Sequence, residues 1–306
     1  MASYEVPEPI INSPFAEPAE HWYIREGEEP QRREGRRPSI VYPPEGGADA
    51  WDLSADVLAA SEDYAPGFEM TLVNRIRQRV KAWREAGYPG VTRTTLELLH
   101  WWRRDGRETR LFFAQVEGAE TIIFLTEARA DFRQGIRVPT DEVSDQQAAN
   151  GARPFTRYAC KIATGGGKTT VMGMLAAWSI LNKVNDRSDG RFSDVVLIVC
   201  PNITIRSRLA ELDPDNGDAS LYRTRDLVPK PLMERLTQGR VIVKNWHLFE
   251  RRGVQTDGET ARVVKAGVPV VTRETITIGD KTTTARGHRY LTEGDYRRQV
   301  AAGLLA

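Results

Sequence analysis

The stretch that decides the fold is Tyr158-Ala159-Cys160-Lys161-Ile162-Ala163-Thr164-Gly165-Gly166-Gly167-Lys168-Thr169-Thr170. Its first five residues predict a short strand, and the apolar run from Val171 to Leu181 predicts a helix. The three consecutive glycines between them carry no Cβ atoms, so the loop can curl its backbone N–H groups around an anion. The order of strand, glycine loop and helix is typical of a phosphate-binding loop.

The side chains that follow the glycines complete the expected phosphate site. Lys168 supplies a positive charge for the β- and γ-phosphates of a nucleotide, and Thr169 supplies a hydroxyl for Mg²⁺. We therefore expect ATP and Mg²⁺ as cofactors and Lys168 as the catalytic residue. The loop residues expected to bind ATP are Thr164, Gly165, Gly166, Gly167, Lys168, Thr169 and Thr170.

The loop departs at one position from the common pattern G-x-x-x-x-G-K-T, because Ile162 stands where the first glycine is usual. The alternative interpretation is a glycine-rich turn between a strand and a helix that binds nothing. Gly-Lys-Thr in this context has no ordinary packing use, so we favour the phosphate site.

Composition narrows the class of protein. A chain of 306 residues can bury a proper core. No apolar run reaches membrane-spanning length, and the acidic, proline-rich N-terminus has no signal-peptide pattern, so we expect a cytoplasmic protein outside the membrane. Cys160 and Cys200 both lie in predicted core strands, which favours buried, reduced thiols over a disulfide. The four histidines have no metal-ligand spacing.

Charge is uneven along the chain although its net value is only +1. From Arg75 to Arg110 there are ten basic and four acidic residues, an excess of six positive charges. Such a patch could contact phosphates. A solvated helix face explains the same pattern and is the interpretation we favour for this stretch alone.

The chain divides into four predicted regions. Residues 1–65 are expected to be largely disordered or extended, and residues 66–130 to be helical. Within the helical region we expect three helices. The first covers residues 69–86, the second begins after a cap at Thr94 or Thr95, and the third runs from about Phe112 to Glu127. Residues 131–153 form a polar loop. Residues 154–306 should form a lobe with parallel strands at 194–200 and 240–245 and a hairpin insertion near 254–290.

Five segments together resemble a known family: Leu111–Glu117, Ala163–Thr170, Trp178–Lys183, Val196–Leu209 and Val241–Leu248. They are similar to the N-terminal part of a superfamily 2 DEAD/DEAH-type helicase, and more narrowly to the helicase subunits of type III restriction enzymes. These helicases often lack the first glycine and read Ala-Thr-Gly-x-Gly-Lys-Thr, as Ala163–Thr169 does. The resemblance runs from about Arg110 to Leu305.

The resemblance implies a fold and a function. The fold class is α/β, an incomplete RecA-like P-loop NTPase lobe with a parallel sheet flanked by helices, preceded by a helical, partly disordered N-terminal region. The activity is that of an ATP-hydrolysing DNA helicase or translocase used in restriction. The implied partners are duplex DNA and a modification or nuclease subunit.

The resemblance also assigns roles to single residues. Phe113 corresponds to an aromatic that stacks on adenine, and Gln115 to a glutamine that hydrogen-bonds the N6 and N7 edge of adenine, for which an amide offers a matching donor and acceptor. The equally weighted alternative makes Phe113 a core residue and Gln115 a surface residue of a helix.

A second segment resembles the motif that follows the nucleic-acid backbone in these helicases. In Pro201–Leu209, a loop that opens a helix offers backbone N–H groups, and polar side chains add further donors. The expected DNA-binding residues are Asn202, Thr204, Arg206 and Arg208. The alternative is a capped amphipathic helix with exposed arginines, and we favour the DNA interpretation.

An ATPase of this kind needs an acidic strand end, Asp-Glu, to hold Mg²⁺ and polarise water. No apolar strand followed by Asp-Glu occurs after Lys168. The chain therefore resembles the N-terminal part of a larger helicase, and we expect it to hydrolyse ATP slowly or not at all by itself. Two alternatives stay open: a truncated nucleotide-binding or partner-binding module without turnover, and a P-loop kinase. The pattern at Pro201–Leu209 argues against the kinase.

Overall fold

The structure is a computed structural model that describes residues 5–6, 8–25, 27–42, 58–64, 67–140, 142–149, 151–249, 270–278, 281–289 and 293–305. Its strands are β1 (Glu20–Tyr23), β2 (Gln31–Glu34), β3 (Ile40–Val41), β4 (Ala59–Ala60), β5 (Phe68–Glu69), β6 (Val195–Cys200), β7 (Arg240–Asn245), β8 (Val270–Ile278) and β9 (Lys281–Arg289). Its helices are α1 (Thr71–Glu85), α2 (Arg93–Arg103), α3 (Phe113–Glu127), α4 (Asp145–Ala149), α5 (Lys168–Asn185), α6 (Ile203–Arg208), α7 (Leu221–Thr224), α8 (Lys230–Leu236) and α9 (Glu293–Leu305).

The chain forms two compact units. The first unit comprises Met1–Asp194 and Leu221–Gly239, and the second comprises Val195–Ser220 and Arg240–Ala306. The sequence predicted a lobe that begins at residue 154, whereas helix α5, which follows that point, belongs to the first unit. It does so because α5 packs against α2 and α3, which precede it in the chain.

The first unit is a body of helices. Helix α3 contacts α1, α2 and α5, and α5 also contacts α2, α7 and α8. Each long helix buries apolar side chains at helical spacing, as a core-facing stripe requires. The largest fully buried side chains of these helices are Trp83, Leu98, Leu99, Trp102, Ile123, Phe124, Met174, Ile180 and Leu181. Helices α1, α2 and α3 thus lie where the apolar periodicity predicts them, although Thr92, and not Thr94 or Thr95, caps α2.

A buried carboxylate ties three of these elements together. Glu120 of α3 is completely buried and accepts hydrogen bonds from Arg84 of α1, from Arg103 of α2 and from the Tyr88 hydroxyl, which lies 2.8 Å away. Burial and the negative charge of Glu120 raise the pKa of Tyr88 well above its usual value. Because each charged group has a partner, this cluster fixes α3 relative to α1 and α2.

The N-terminal segment contains ordered structure that composition did not predict. Strands β1 and β2 pair antiparallel, and Tyr23 of β1 is buried edge-on against Tyr64, with ring centroids 5.2 Å apart. Arg36 donates two hydrogen bonds, of 2.6 and 2.7 Å, to the Glu117 carboxylate of α3. The reason is tertiary: aromatic burial and a bidentate ion pair hold a stretch whose own propensities are weak.

The second unit contains the small parallel sheet that the sequence predicts. Strands β6 and β7 pair in parallel register from Val195 opposite Arg240 to Cys200 opposite Asn245, and helix α6 packs against both. Strands β8 and β9 pair antiparallel, within the stretch where a hairpin insertion is predicted. The described chain is therefore a mixed α/β structure with a small parallel sheet flanked by a helix.

One predicted strand does not form. Residues 152–163 contain neither helix nor strand, so the prediction of a strand at Tyr158–Ile162 is wrong, and Cys160 is exposed instead of buried. A strand is stable when a neighbour satisfies its backbone donors and acceptors, and none of the described strands pairs with this segment. Cys200, on β6, is buried as expected.

Candidate functional site

The glycine loop has a backbone that only glycine adopts easily. Gly165 and Gly167 have φ angles of 82° and 80°, in the left-handed region, and Gly167 is the residue that caps α5. No side chain caps this helix, whose 18 residues begin at Lys168. The first N–H groups of a helix have no acceptor within the helix, and they carry its positive dipole end. The loop therefore ends in donors suited to an anion.

Ile162, at the position where a glycine is usual, has a packing role below the loop. A Cβ atom on Gly166 would lie 2.6 Å from the Cγ2 atom of Ile162, and one on Gly118 of α3 would lie 3.8 Å from its Cδ1 atom. Ile162 thus fills the space between the loop and α3. A side chain at position 166 would collide with Ile162, so the isoleucine favours a glycine at that position.

Lys168 lies back across the loop. Its ammonium group donates to the carbonyl of Ile162 at 2.7 Å and to the carbonyl of Ala163 at 3.0 Å, while the side chain stays exposed. A phosphate oxygen offers a stronger, charge-assisted acceptor than a neutral carbonyl. The lysine is therefore within reach of a ligand in the loop and can exchange its neutral partners for it.

Gln115 is the residue that the fold brings to the loop from far away in sequence. Its Nε2 atom donates to the Gly166 carbonyl at 3.2 Å, and its Oε1 atom accepts from the Phe112 N–H at 2.9 Å. A Cβ atom on Gly167 would lie 1.9 Å from Gln115 Nε2, so the loop and the amide are in close contact. Gln115 is 7% exposed, which excludes the alternative of a surface residue.

Phe113 lies in a different place from Gln115. It is 8% exposed, and its ring centroid lies 5.6 Å from the Arg36 guanidinium and 5.5 Å from that of Arg84. These contacts suit a buried ring with cations beside it. The structure therefore brings Gln115 to the glycine loop, whereas Phe113 packs beside Arg36 and Arg84.

The two threonines after Lys168 differ in exposure. Thr169 is half-buried in the first turn of α5, whereas Thr170 is buried and its N–H bonds the Gly167 carbonyl at 3.0 Å. Among the described residues no group of three or more His, Cys, Asp or Glu side chains is placed to hold a metal ion. The Thr169 hydroxyl at the helix start fits Mg²⁺, which commonly takes one protein oxygen together with phosphate oxygens and water.

The candidate DNA segment belongs to the second unit. The Asn202 side chain caps α6 by accepting from the Ile205 N–H at 2.8 Å, so its carbonyl has a structural role. Thr204, Arg206 and Arg208 are exposed, and α6 buries none of its six residues. The cap and the exposed arginines are what the alternative interpretation of this segment described, and DNA binding by Thr204, Arg206 and Arg208 stays a prediction.

Sequence reasoning missed a cluster of arginines around a cavity at the start of α3. Arg107 and Arg110 lie in the basic stretch already noted from the charge count, but the count could not show that they line a cavity with Phe15.

Comparison with protein-family models, with curated proteins and with solved structures found no match to this chain. In the part of the chain that the structure describes, no helix has both the length and the apolar character needed to cross a membrane.

Proposed function

We propose that this chain is the nucleotide-binding portion of an ATP-dependent DNA helicase or translocase of the restriction-enzyme type, built on a RecA-like lobe. One observation carries the proposal: a loop with two left-handed glycines opens a long helix, and Lys168 and Gln115 converge on it. An exposed lysine beside a helix start that no side chain caps is suited to phosphate binding.

The chain's own groups would bind the nucleotide in a simple exchange. The first N–H groups of α5 donate hydrogen bonds to the phosphate oxygens. Lys168 exchanges its hydrogen bonds to two carbonyls for bonds to the β- and γ-phosphates. The Thr169 hydroxyl would help to hold Mg²⁺, which would supply positive charge to neutralise the phosphates. Gln115 holds Gly166 in place, so the loop keeps its shape before the nucleotide arrives.

In this proposal the second unit binds DNA. Arg206 and Arg208 are exposed on α6, and neither forms an ion pair within the described residues. Guanidinium groups of this kind suit phosphate oxygens and release counterions when they bind. DNA binding should therefore be weak and should fall steeply with salt. A modification or nuclease subunit is the partner, and the cytoplasm the location, that this function requires.

A second candidate is nucleotide binding without turnover. The sequence has no apolar strand ending in Asp-Glu after Lys168, and such a pair is what orients Mg²⁺ and water in an ATPase. In this candidate ATP binds as described and is not hydrolysed by these residues. The third possibility, a P-loop kinase, does not account for the exposed arginines of helix α6.

The test compares ATP binding, duplex-DNA binding and phosphate release in residues 1–306, in Lys168→Ala and in Lys161→Ala. Lys161 is an exposed lysine of the same segment and serves as the matched control. We expect ATP binding in the parent and in Lys161→Ala only, DNA binding in all three at low salt, and little phosphate release.

Two outcomes would change this account. ATP binding without any DNA binding at low salt contradicts the helicase and leaves the binding module. Fast phosphate release that Lys168→Ala abolishes shows a complete active site within these residues and contradicts the second candidate.

A further inference from the structure

A cavity of about 410 Å³ lies in the first unit, between the start of α3 and the turn that follows α2. Its walls combine aromatic rings with cations, namely Phe15, Phe113, Arg103, Arg104, Arg107 and Arg110. Asp105 is the acidic residue of the lining. A cavity of this volume is within the size range of small-molecule sites, which extends from about 300 to 1,000 Å³.

Two of the four arginines are neutralised by neighbouring carboxylates. Arg103 donates to Glu120, and Arg104 forms an ion pair with Asp226. These ion pairs hold the cavity walls together, and they leave the local charge to be decided by Arg107 and Arg110 together with the acidic Asp105.

Arg107 is a buried cation that pairs with main-chain groups. Within the described residues its hydrogen bonds go to carbonyls, at distances of 2.8–3.1 Å; these belong to Trp101, Thr109, Arg225 and Asp226. Burial and the positive charge of Arg104 lower the pKa of Arg107. Arg107 therefore fixes the turn and leaves a positive field in the cavity that an anion would relieve.

Arg110 presents its donors at the mouth of the cavity. Its guanidinium carbon lies 4.1 Å from the centroid of the Phe15 ring, and the residue is exposed. No hydrogen-bond acceptor contacts it among the residues that the structure describes. With no acceptor beside it, the guanidinium keeps its planar fork of donors free, and that fork matches the oxygens of a phosphate.

We propose that this cavity is a second anion site, which binds a phosphate group carried by a free nucleotide or by a nucleic-acid strand. Arg110 is the group that contacts the phosphate, Arg107 supplies the field, and Phe15 positions Arg110. Other arginines of the basic stretch already have partners within the protein: Arg75 and Arg79, for example, bond to the carbonyls of Gly135 and Gln134.

This site is separate from the glycine loop. None of the lining residues belongs to residues 163–170, and Gln115, which contacts the loop, does not line the cavity. A substitution in one site can therefore be used to silence it while the other is measured.

The experiment is arginine modification by phenylglyoxal, with peptide mass spectrometry, on the full chain carrying Lys168→Ala. The probes are ATP and a single-stranded oligonucleotide of about 12 nucleotides, within the usual footprint of single-strand sites. At a probe concentration ten times its Kd, we expect modification of Arg110 to slow about tenfold. Arg137, an exposed arginine of the same unit, is the control and should react at an unchanged rate.

The probe that slows modification of Arg110 identifies the source of the phosphate. Protection by ATP indicates that the site binds a free nucleotide, and protection by the oligonucleotide indicates that it binds a nucleic-acid strand. Arg110→Gln should weaken binding of the protecting probe about tenfold, the loss of one charge-assisted pair, whereas Arg137→Gln should not. If Arg110→Gln does not fold, Arg110→Lys, which keeps the charge and loses the fork, should show a smaller loss. Protection by neither probe, or equal protection of Arg137, overturns the proposal.

Discussion

The glycine loop and the start of α6 are the same kind of element in sequence, a turn with polar residues that opens a helix. In the structure they differ. The loop before α5 is held by Gln115 and Ile162 and opens a helix of 18 residues, whereas α6 has six residues and buries none of them. One site has its shape fixed by the rest of the fold, and the other offers exposed charge.

The difference teaches where binding free energy comes from at each site. A loop that is already in its bound shape loses little conformational entropy when a ligand arrives, so its affinity depends on geometry. An exposed arginine pair gains affinity from charge and counterion release, so its affinity depends on salt. Substitutions should therefore affect loop shape and binding together at the first site and binding alone at the second.

The largest effect is expected at the carboxylate that fixes α3. Glu120→Gln removes the buried charge that Arg84 and Arg103 face and leaves both partly exposed cations without a full partner, so we expect a loss of about 3 kcal/mol of folding free energy, the low end for a broken buried pair. Urea denaturation measures it. Glu234→Gln, on exposed surface of the same unit, should change stability by less than about 0.5 kcal/mol. Similar losses in both variants would show that α3 is not held by this cluster.

Gly167→Ala should disrupt the loop while leaving the body folded. The left-handed backbone costs an alanine about 1–2 kcal/mol, and the new Cβ atom would displace Gln115. ATP affinity, measured by calorimetry, should fall at least tenfold, the equivalent of about 1.4 kcal/mol. Gly190→Ala is the control, since an ordinary backbone and open space surround that glycine. Unchanged ATP affinity in Gly167→Ala would show that the loop tolerates another shape.

Gln115→Ala separates two roles for the amide. If Gln115 braces the loop, the loss of its bonds to Phe112 and Gly166 weakens ATP and GTP alike, by about 0.5–1.5 kcal/mol per bond. If it reads adenine, the preference for ATP over GTP narrows instead. The hydrogen bonds that Gln115 makes to the loop favour the first role, in which the affinities for ATP and GTP fall alike. Exposed Gln238 provides the control, and competition binding with both nucleotides measures the ratio.

The smallest effect on stability is expected at α6. Arg206→Gln and Arg208→Gln should change folding free energy by less than about 0.5 kcal/mol. Each should weaken duplex-DNA binding for all sequences and reduce the slope of log affinity against log salt by about one. Anisotropy at several salt concentrations measures this, with Arg223→Gln as an exposed control on the first unit. An unchanged slope in both variants would remove α6 from the DNA-binding surface.

Local patterns in the sequence predicted the helices and the two parallel strands. Helices α1 and α2 follow from apolar spacing, helix α5 follows from the apolar run from Val171 to Leu181, and β6 and β7 follow from continuous apolar runs. Short-range signals suffice for these elements because their hydrogen bonds lie within the segment or along one strand pair. The cap of α2 was missed because Thr92, Thr94 and Thr95 are chemically alike and only the helix bounds tell them apart.

Long-range contacts account for what the sequence could not predict. The hydrogen bond between Gln115 and Gly166 joins residues 51 positions apart, and the bond between Arg107 and Asp226 spans 119 positions. The predicted strand at Tyr158–Ile162 failed for a related reason, because β-propensity describes a segment while a strand also needs a partner. Exposure of Cys160 follows from that missing partner.

The measurement that tests the account most directly is calorimetric titration of ATP with Mg²⁺ into the folded chain, into Lys168→Ala and into Lys161→Ala. The account predicts binding to the parent and to Lys161→Ala, and none to Lys168→Ala at the glycine loop, because that change removes the charge facing the phosphates. Equal ATP affinity in all three proteins would contradict the claim that the glycine loop is a nucleotide site.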